Sequence, residues 1–131
     1  MSKIFLTSDT HYGHSKIIEY CKRPFSSVEE MNETLIANWN AVVKPQDHVY
    51  HLGDVTMLRG SVHGKEAFQT IQLCQRLNGH KRLILGNHDH FPVEVYFLAG
   101  FKKIYGMWGG FKGIQLSHAP LHPDSIGKNR E

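Results

Sequence analysis

Four short runs of apolar and β-branched residues, Ile4 to Thr7, His48 to Leu52, Arg82 to Leu85 and Gly113 to Leu116, each lead directly into residues of metal-ligating type. The first meets Asp9-Thr10-His11, the second Gly53-Asp54, the third Gly86-Asn87-His88-Asp89 and the fourth Ser117-His118. Runs of this length suit buried strands. In open α/β sheets ligands bind beyond the carboxyl ends of the strands, so endings of this kind are expected to converge on one crevice. Each motif alone has a plainer reading: Asp9-x-His11 as a capping or surface pair, Gly53-Asp54 and Gly86-Asn87 as turns, His118 as a core histidine. Their joint order in one short chain is what points to a site.

Helical periodicity fills the intervals. Ser27-Val28-Glu29-Glu30 reads as a capping box, and Val28, Met31, Leu35, Trp39 and Val42 follow at three- and four-residue steps until Pro45. Trp39 is expected in the core. A second helix is predicted over Lys65 to Leu77, with Phe68, Ile71 and Cys74 on its apolar stripe and Gly79 just past its end. Shorter helices are predicted over Lys16 to Cys21 and, between Pro92 and Gly100, over Val93 to Leu98. The aromatics from Phe101 to Phe111, interleaved with Lys102, Lys103 and Lys112, are open to reading as a single-stranded nucleic-acid surface, but Gly106, Gly109 and Gly110 favour an ordinary hairpin. Alternating strands and helices predict an α/β architecture, and 131 residues amount to about one domain.

Composition narrows the partners. No apolar run reaches the roughly 18 to 20 residues of a membrane span, and Met1 to Leu6 is too short and too soon polar for a secretion signal, so a cytoplasmic protein without a membrane partner is expected. The net charge of +3 comes without any run of like charges, which is weak support for a polyanion partner. Cys21 and Cys74 lack CxxC spacing and read as reduced, partly buried thiols. The ten histidines are more informative, because imidazole is the commonest metal ligand. Asp9 and His11 are two apart, which in extended backbone turns both side chains to one side, where they can grip one cation. Gly53 and Gly86 permit tight, left-handed backbone just before a ligand. Mixed oxygen and nitrogen donors suit a hard or borderline divalent ion such as Mn²⁺, Fe²⁺ or Zn²⁺.

In order and content these motifs resemble those of the calcineurin-like metallophosphoesterases: Asp-x-His, Gly-Asp, Gly-Asn-His-Asp/Glu and a histidine after the next strand. The segments Ser8 to His14, Arg23-Pro24-Phe25, Asn38-Trp39-Asn40 and Tyr50 to Val55 resemble the small phage and bacterial branch, so the likeness covers nearly the whole chain. The resemblance implies a β-sandwich of mixed sheets flanked by helices. It also implies two divalent ions, foremost Mn²⁺, with Fe²⁺/Fe³⁺, Zn²⁺ and Ni²⁺ as alternatives. Asp9 and His11 would hold the first, Asn87 and His118 the second, and Asp54 would bridge them. The implied reaction is hydrolysis of a phosphomonoester or phosphodiester by a hydroxide generated between the ions, on a substrate class that includes nucleotides and nucleic acids. His88 would serve the leaving group, with Asp89 orienting its ring. His14, His51, Arg59 and His122 lie near the motifs and are candidates to support ligands or touch substrate, while His48, His63, His80, His90 and Lys65 read as surface residues.

The family's last motif, Gly-His-x-His, does not occur among the 131 residues. On the family's pattern two ligands are then missing, so either the C-terminal part of the domain is absent or the ligands come from elsewhere. An exposed sheet edge, and through it a homodimer, is the corresponding expectation. The missing motif also keeps open a catalytically silent, metal-containing binding or scaffold module, whereas the retained His88 favours an enzyme. A nucleic-acid-binding protein with structural metal ranks below both, for want of a basic tract.

Overall fold

In the computed structural model, residues 2–106, 108–111 and 114–119 are described. Ten elements follow in the order β1 (Ile4–Thr7), α1 (Lys16–Tyr20), α2 (Val28–Val42), β2 (His48–His51), α3 (Lys65–Gln75), β3 (His80–Ile84), α4 (Val93–Leu98), β4 (Phe101–Tyr105), β5 (Trp108–Phe111) and β6 (Ile114–Leu116). The first four strands form one parallel sheet in the order β1-β2-β3-β4, and β5 pairs antiparallel with β6. The architecture is α/β, a parallel sheet flanked by helices, as the sequence predicts. Among the described residues no helix is long and apolar enough to cross a membrane.

Parallel pairing brings the carboxyl ends of β1, β2 and β3 to the same edge, and it makes each intervening segment a crossover that returns over the sheet. Capping starts the longest crossover as expected: Ser27 Oγ accepts the N–H of Glu30 at 3.1 Å, and Glu30 returns to the Ser26 hydroxyl and N–H. Strand alternation then divides the core. Val49, Leu83 and Phe101 pack with Ile36, Trp39, Ala67, Cys74, Val95, Tyr96 and Ala99, while Tyr50 and Ile84 on the opposite face meet Leu116 of β6. Trp39 lies in the core as predicted and donates from its indole to the Asn78 carbonyl at 2.9 Å.

Several expectations need correction. Phe101 to Phe111 is not a hairpin: β4 adds to β3 in parallel, β5 pairs with β6, and Gly109 and Gly110 are strand residues. Glycines mark a break in the chain but do not choose the partner strand, and the α4 crossover chooses β3. Phe68 and Val42 are exposed, because α3 packs through Ala67, Thr70 and Cys74, and α2 through Met31, Ile36 and Trp39. Cys74 is the buried thiol expected, pushed up to about 12 by desolvation, whereas Cys21 is exposed.

Candidate metal centre

Beyond the last residues of β1 and β2 the chain keeps the two strands paired. Asp9 N–H donates to the Gly53 carbonyl, His11 N–H to the Asp54 carbonyl and Tyr12 N–H to the Val55 carbonyl, at 2.9, 3.1 and 2.9 Å. Pairing persists although Asp9, His11 and Asp54 all have left-handed backbone, with φ of 56°, 52° and 57°. Non-glycine residues there cost on the order of 1–3 kcal/mol each and cluster where surrounding structure overrides the cost. The kinks turn the three side chains toward one another. His11 Nε2 lies 3.4 Å from Asp9 Oδ1 and 3.5 Å from Asp54 Oδ2, and the three donor groups fall within 4.8 Å of one another.

The third and fourth motifs arrive on the other side of Asp54. Its Oδ1 accepts the His88 N–H at 2.9 Å, and its Oδ2 lies 3.5 Å from His118 Nε2. His118 Nδ1 is 2.8 Å from the Leu52 carbonyl, to which only an N–H can donate, so Nε2 is left to face Asp54 and the Asn87 carbonyl oxygen 2.8 Å away. This closeness depends on two glycines. A β-carbon on Gly53 would meet the Gly86 backbone nitrogen at 2.6 Å, and one on Gly86 would strike the Asp54 carboxylate. The donor set of carboxylate, imidazole and amide oxygens fits hard or borderline divalent cations, and no thiol stands among it.

Electrostatics agree with a site prepared for cations. Partial burial raises the Asp9 carboxyl, but the hydrogen bond from Ser8 and the neighbouring His11 and His118 outweigh it, and the carboxyl ends below its ordinary value. Ser8 Oγ donates to Asp9 Oδ2 at 2.6 Å.

Asp89 departs from its expected role. It does not orient the His88 ring, because its oxygens are occupied by backbone: Oδ2 accepts from Asp54 N–H at 2.9 Å and Gly86 N–H at 2.8 Å, and Oδ1 from Val55 N–H at 3.0 Å. It therefore clamps the second and third motifs together. Burial pushes its carboxyl up, against the pull of those same N–H groups. The His88 ring instead stands half-buried, with Nε2 3.3 Å from Asn87 Nδ2 and its centroid 5.9 Å from that of His11.

His51 is fully buried and held neutral, its pKa pushed down to about 3 by desolvation. Its Nδ1 accepts the Gly53 N–H at 3.1 Å, so the proton is on Nε2, which donates to Thr10 Oγ1 at 3.1 Å; Thr10 passes the chain on to the Val55 carbonyl at 2.8 Å. His14 contacts His11 directly, Nδ1 to Nδ1 at 3.1 Å. Arg59 is exposed and makes no hydrogen bond or ion pair among the described residues, and His122 lies outside them. Two residues had no role in the sequence reading. Arg23 donates to the carbonyls of Asp9 at 2.8 Å and Thr10 at 3.0 Å, and Asn32, buried on α2, accepts the Gly13 N–H at 3.1 Å. Both hold the first motif's loop by its backbone, a task that leaves no spacing signature in the sequence.

A family model for the calcineurin-like phosphoesterases matches residues 2–127. The uncharacterized protein MJ1445 of Methanocaldococcus jannaschii is 53% identical over 91 residues, covering 70% of this chain and 49% of that one. The Gene 66 protein of Mycobacterium phage L5 is 33% identical over 99% of this chain and 69% of its own length. Among solved structures, a protein of unknown function from Aquifex aeolicus, AQ665, matches with a TM-score of 0.66 and 29% identity, covering 96% of this chain and 65% of that one. The chain thus spans about half the length of the archaeal relative and about two thirds of the other two.

Proposed function

The chain belongs to the calcineurin-like phosphoesterase family, and from that premise we propose that it hydrolyses a phosphomonoester or phosphodiester at a dinuclear centre. Asp9, His11 and Asp54 hold one divalent ion; Asp54, Asn87 and His118 hold the other. The observation that carries this reading is the position of Asp54 Oδ2, 3.5 Å from His11 Nε2 and 3.5 Å from His118 Nε2. One carboxylate oxygen facing both imidazoles is what a bridging ligand requires. Mixed oxygen and nitrogen donors suit Mn²⁺, the ion we propose. When bound, such a pair supplies charge for the phosphate oxygens and acidifies the attacking water.

The chain's own residues divide the remaining work. Asp54 offsets the repulsion between two cations, and neutral Asn87 leaves enough positive charge to attract a phosphate. His118 is fixed as an Nε2 donor by its bond to Leu52, the usual way a ligating imidazole is oriented. His88, its backbone anchored on Asp54, holds a proton for the departing ester oxygen. His51 supports the first two motifs through Thr10, and exposed Arg59 is available to a substrate phosphate.

The test combines metal binding with turnover. Mn²⁺ should raise the melting temperature, and the Mn²⁺-loaded protein should hydrolyse p-nitrophenyl phosphate or bis(p-nitrophenyl) phosphate. Mn²⁺ binding without hydrolysis of either would turn the reading to the silent binding module, and no Mn²⁺ binding would remove the centre itself.

A further inference from the structure

We infer that His14 is a positioning residue that fixes His11 as an Nε2 metal ligand, an inference that rests on the proposed metal centre. The two imidazoles meet at Nδ1 of each, 3.1 Å apart, with ring centroids 5.3 Å apart and planes 25° from parallel. A contact of this length between two ring nitrogens is a hydrogen bond only when one nitrogen carries a proton and the other a lone pair. Two arrangements satisfy that. If His14 donated, neutral His11 would carry its proton on Nε2, the atom that faces Asp9 Oδ1 at 3.4 Å and Asp54 Oδ2 at 3.5 Å. A protonated Nε2 cannot ligate. If His11 donates, its Nε2 lone pair points between the two carboxylates and is ready for a cation. Only the second arrangement is compatible with His11 as a ligand, and it makes His14 the acceptor.

The local chain is built to bring the rings together. Gly13 has a left-handed φ of 77°, its N–H is held by Asn32, and the His14 N–H closes a turn onto the His11 carbonyl at 3.0 Å. A β-carbon on Gly13 would run into Leu58 at 2.9 Å, so glycine alone fits this turn comfortably. On its outer side the His14 ring meets the edge of Tyr20, with centroids 6.4 Å apart, at the end of α1. The His11-x-x-His14 spacing is thus used not to place two ligands on one ion but to let the second imidazole orient the first. Outer partners of ligating histidines typically carry a 10- to 100-fold effect on metal affinity.

The experiment compares His14→Leu, which keeps bulk but no acceptor, with His14→Gln, which restores an acceptor oxygen. Mn²⁺ affinity is measured by electron paramagnetic resonance titration, alongside the melting temperature without metal. His14→Leu should bind Mn²⁺ about 10- to 100-fold more weakly at nearly unchanged metal-free stability, and His14→Gln should recover much of the loss. In the unmutated protein loaded with Zn²⁺, long-range ¹H–¹⁵N spectra should show His11 protonated at Nδ1. A His14→Leu variant that binds like wild type, a His14→Gln variant no better than His14→Leu, or an unprotonated His11 Nδ1 in the Zn²⁺ form would each overturn the inference. Should His14→Leu fail to fold, a ¹⁵N–¹⁵N coupling across the hydrogen bond from His11 Nδ1 to His14 Nδ1 in the Zn²⁺ form of the unmutated protein decides, its presence supporting the inference and its absence overturning it. Loss of Mn²⁺ binding in His11→Ala but not in His14→Leu would reject this role and leave the metal centre standing.

Discussion

Asp89 Oδ2 accepts the backbone N–H of Asp54 at 2.9 Å, so the carboxylate beside His88 in sequence serves a residue 35 positions away. Asp89→Asn should therefore act on the centre as a whole. An amide offers one oxygen where three N–H groups now find two, and it turns a donor toward one of them. Leaving a buried donor unpaired costs about 1–3 kcal/mol. The variant should melt lower, bind Mn²⁺ more weakly, and lose activity equally on esters with good and poor leaving groups. A loss confined to poor leaving groups would restore Asp89 to the His88 ring.

Asp54 is expected to matter most for metal binding, because among the described residues it alone faces both sides of the site. A ligand that binds only the folded state at 100 times its Kd adds about 2.7 kcal/mol, on the order of 10 °C for a domain of this size. Asp54→Ala should abolish that Mn²⁺-dependent rise in calorimetry more completely than Asp9→Ala or His118→Ala. A full rise in Asp54→Ala would exclude the bridge.

His88→Ala should spare Mn²⁺ binding, since the tie to Asp54 is made by backbone. Turnover of an alkyl phosphate ester should fall about 10²- to 10⁴-fold, the usual loss of a general acid. With p-nitrophenolate leaving, which scarcely needs a proton, the deficit should shrink. Equal losses on both esters would assign His88 another task.

His51 makes stability depend on pH in a definite direction. Its folded pKa of about 3 lies below the ordinary 6.5, so as pH falls through 6.5 the unfolded chain takes up a proton that the folded chain refuses. Stability is highest above 6.5 and declines toward 3, by at most about 1.4 kcal/mol per pH unit for this one proton. In denaturant titrations, His51→Gln should be less stable at pH 7, having lost the Gly53 and Thr10 bonds, yet show a shallower decline between pH 6.5 and 3. An unchanged slope would mean that His51 protonates freely.

Much of this arrangement is legible in the sequence because it depends on local rules. The Ser27 cap and the three- and four-residue steps define Val28–Val42, and Ile4–Thr7 and Val93–Leu98 appear with the bounds expected of them. The residues of the first three motifs converge because parallel strands put their ends at one edge, whereas His118 reaches the same place from β6 of the other sheet. What was illegible is direction and partnership. Nothing local tells β4 to join β3 and not β5, or turns Asp89 toward Asp54 and away from His88. Arg23 acts through two bonds and Asn32 through one to a loop backbone, and only the folded chain brings them there.

A β-carbon on Gly53 would meet the Gly86 backbone and one on Gly86 the Asp54 backbone nitrogen and carboxylate, so neither position has room for one. The second and third motifs therefore rest backbone against backbone, and side-chain repacking cannot adjust their separation. This contact works as a gauge. It sets how far the Asp54 carboxylate stands from Asn87 and His118, and so the span that any occupants of the site must match. A methyl group at Gly53 would press on the Gly86 backbone and the His118 ring, and one at Gly86 on the Asp54 carboxylate, so either would act as a shim that spreads the loops and moves a donor with them. The selectivity of such a site for one size of cation pair then resides in two residues that offer it no ligand at all.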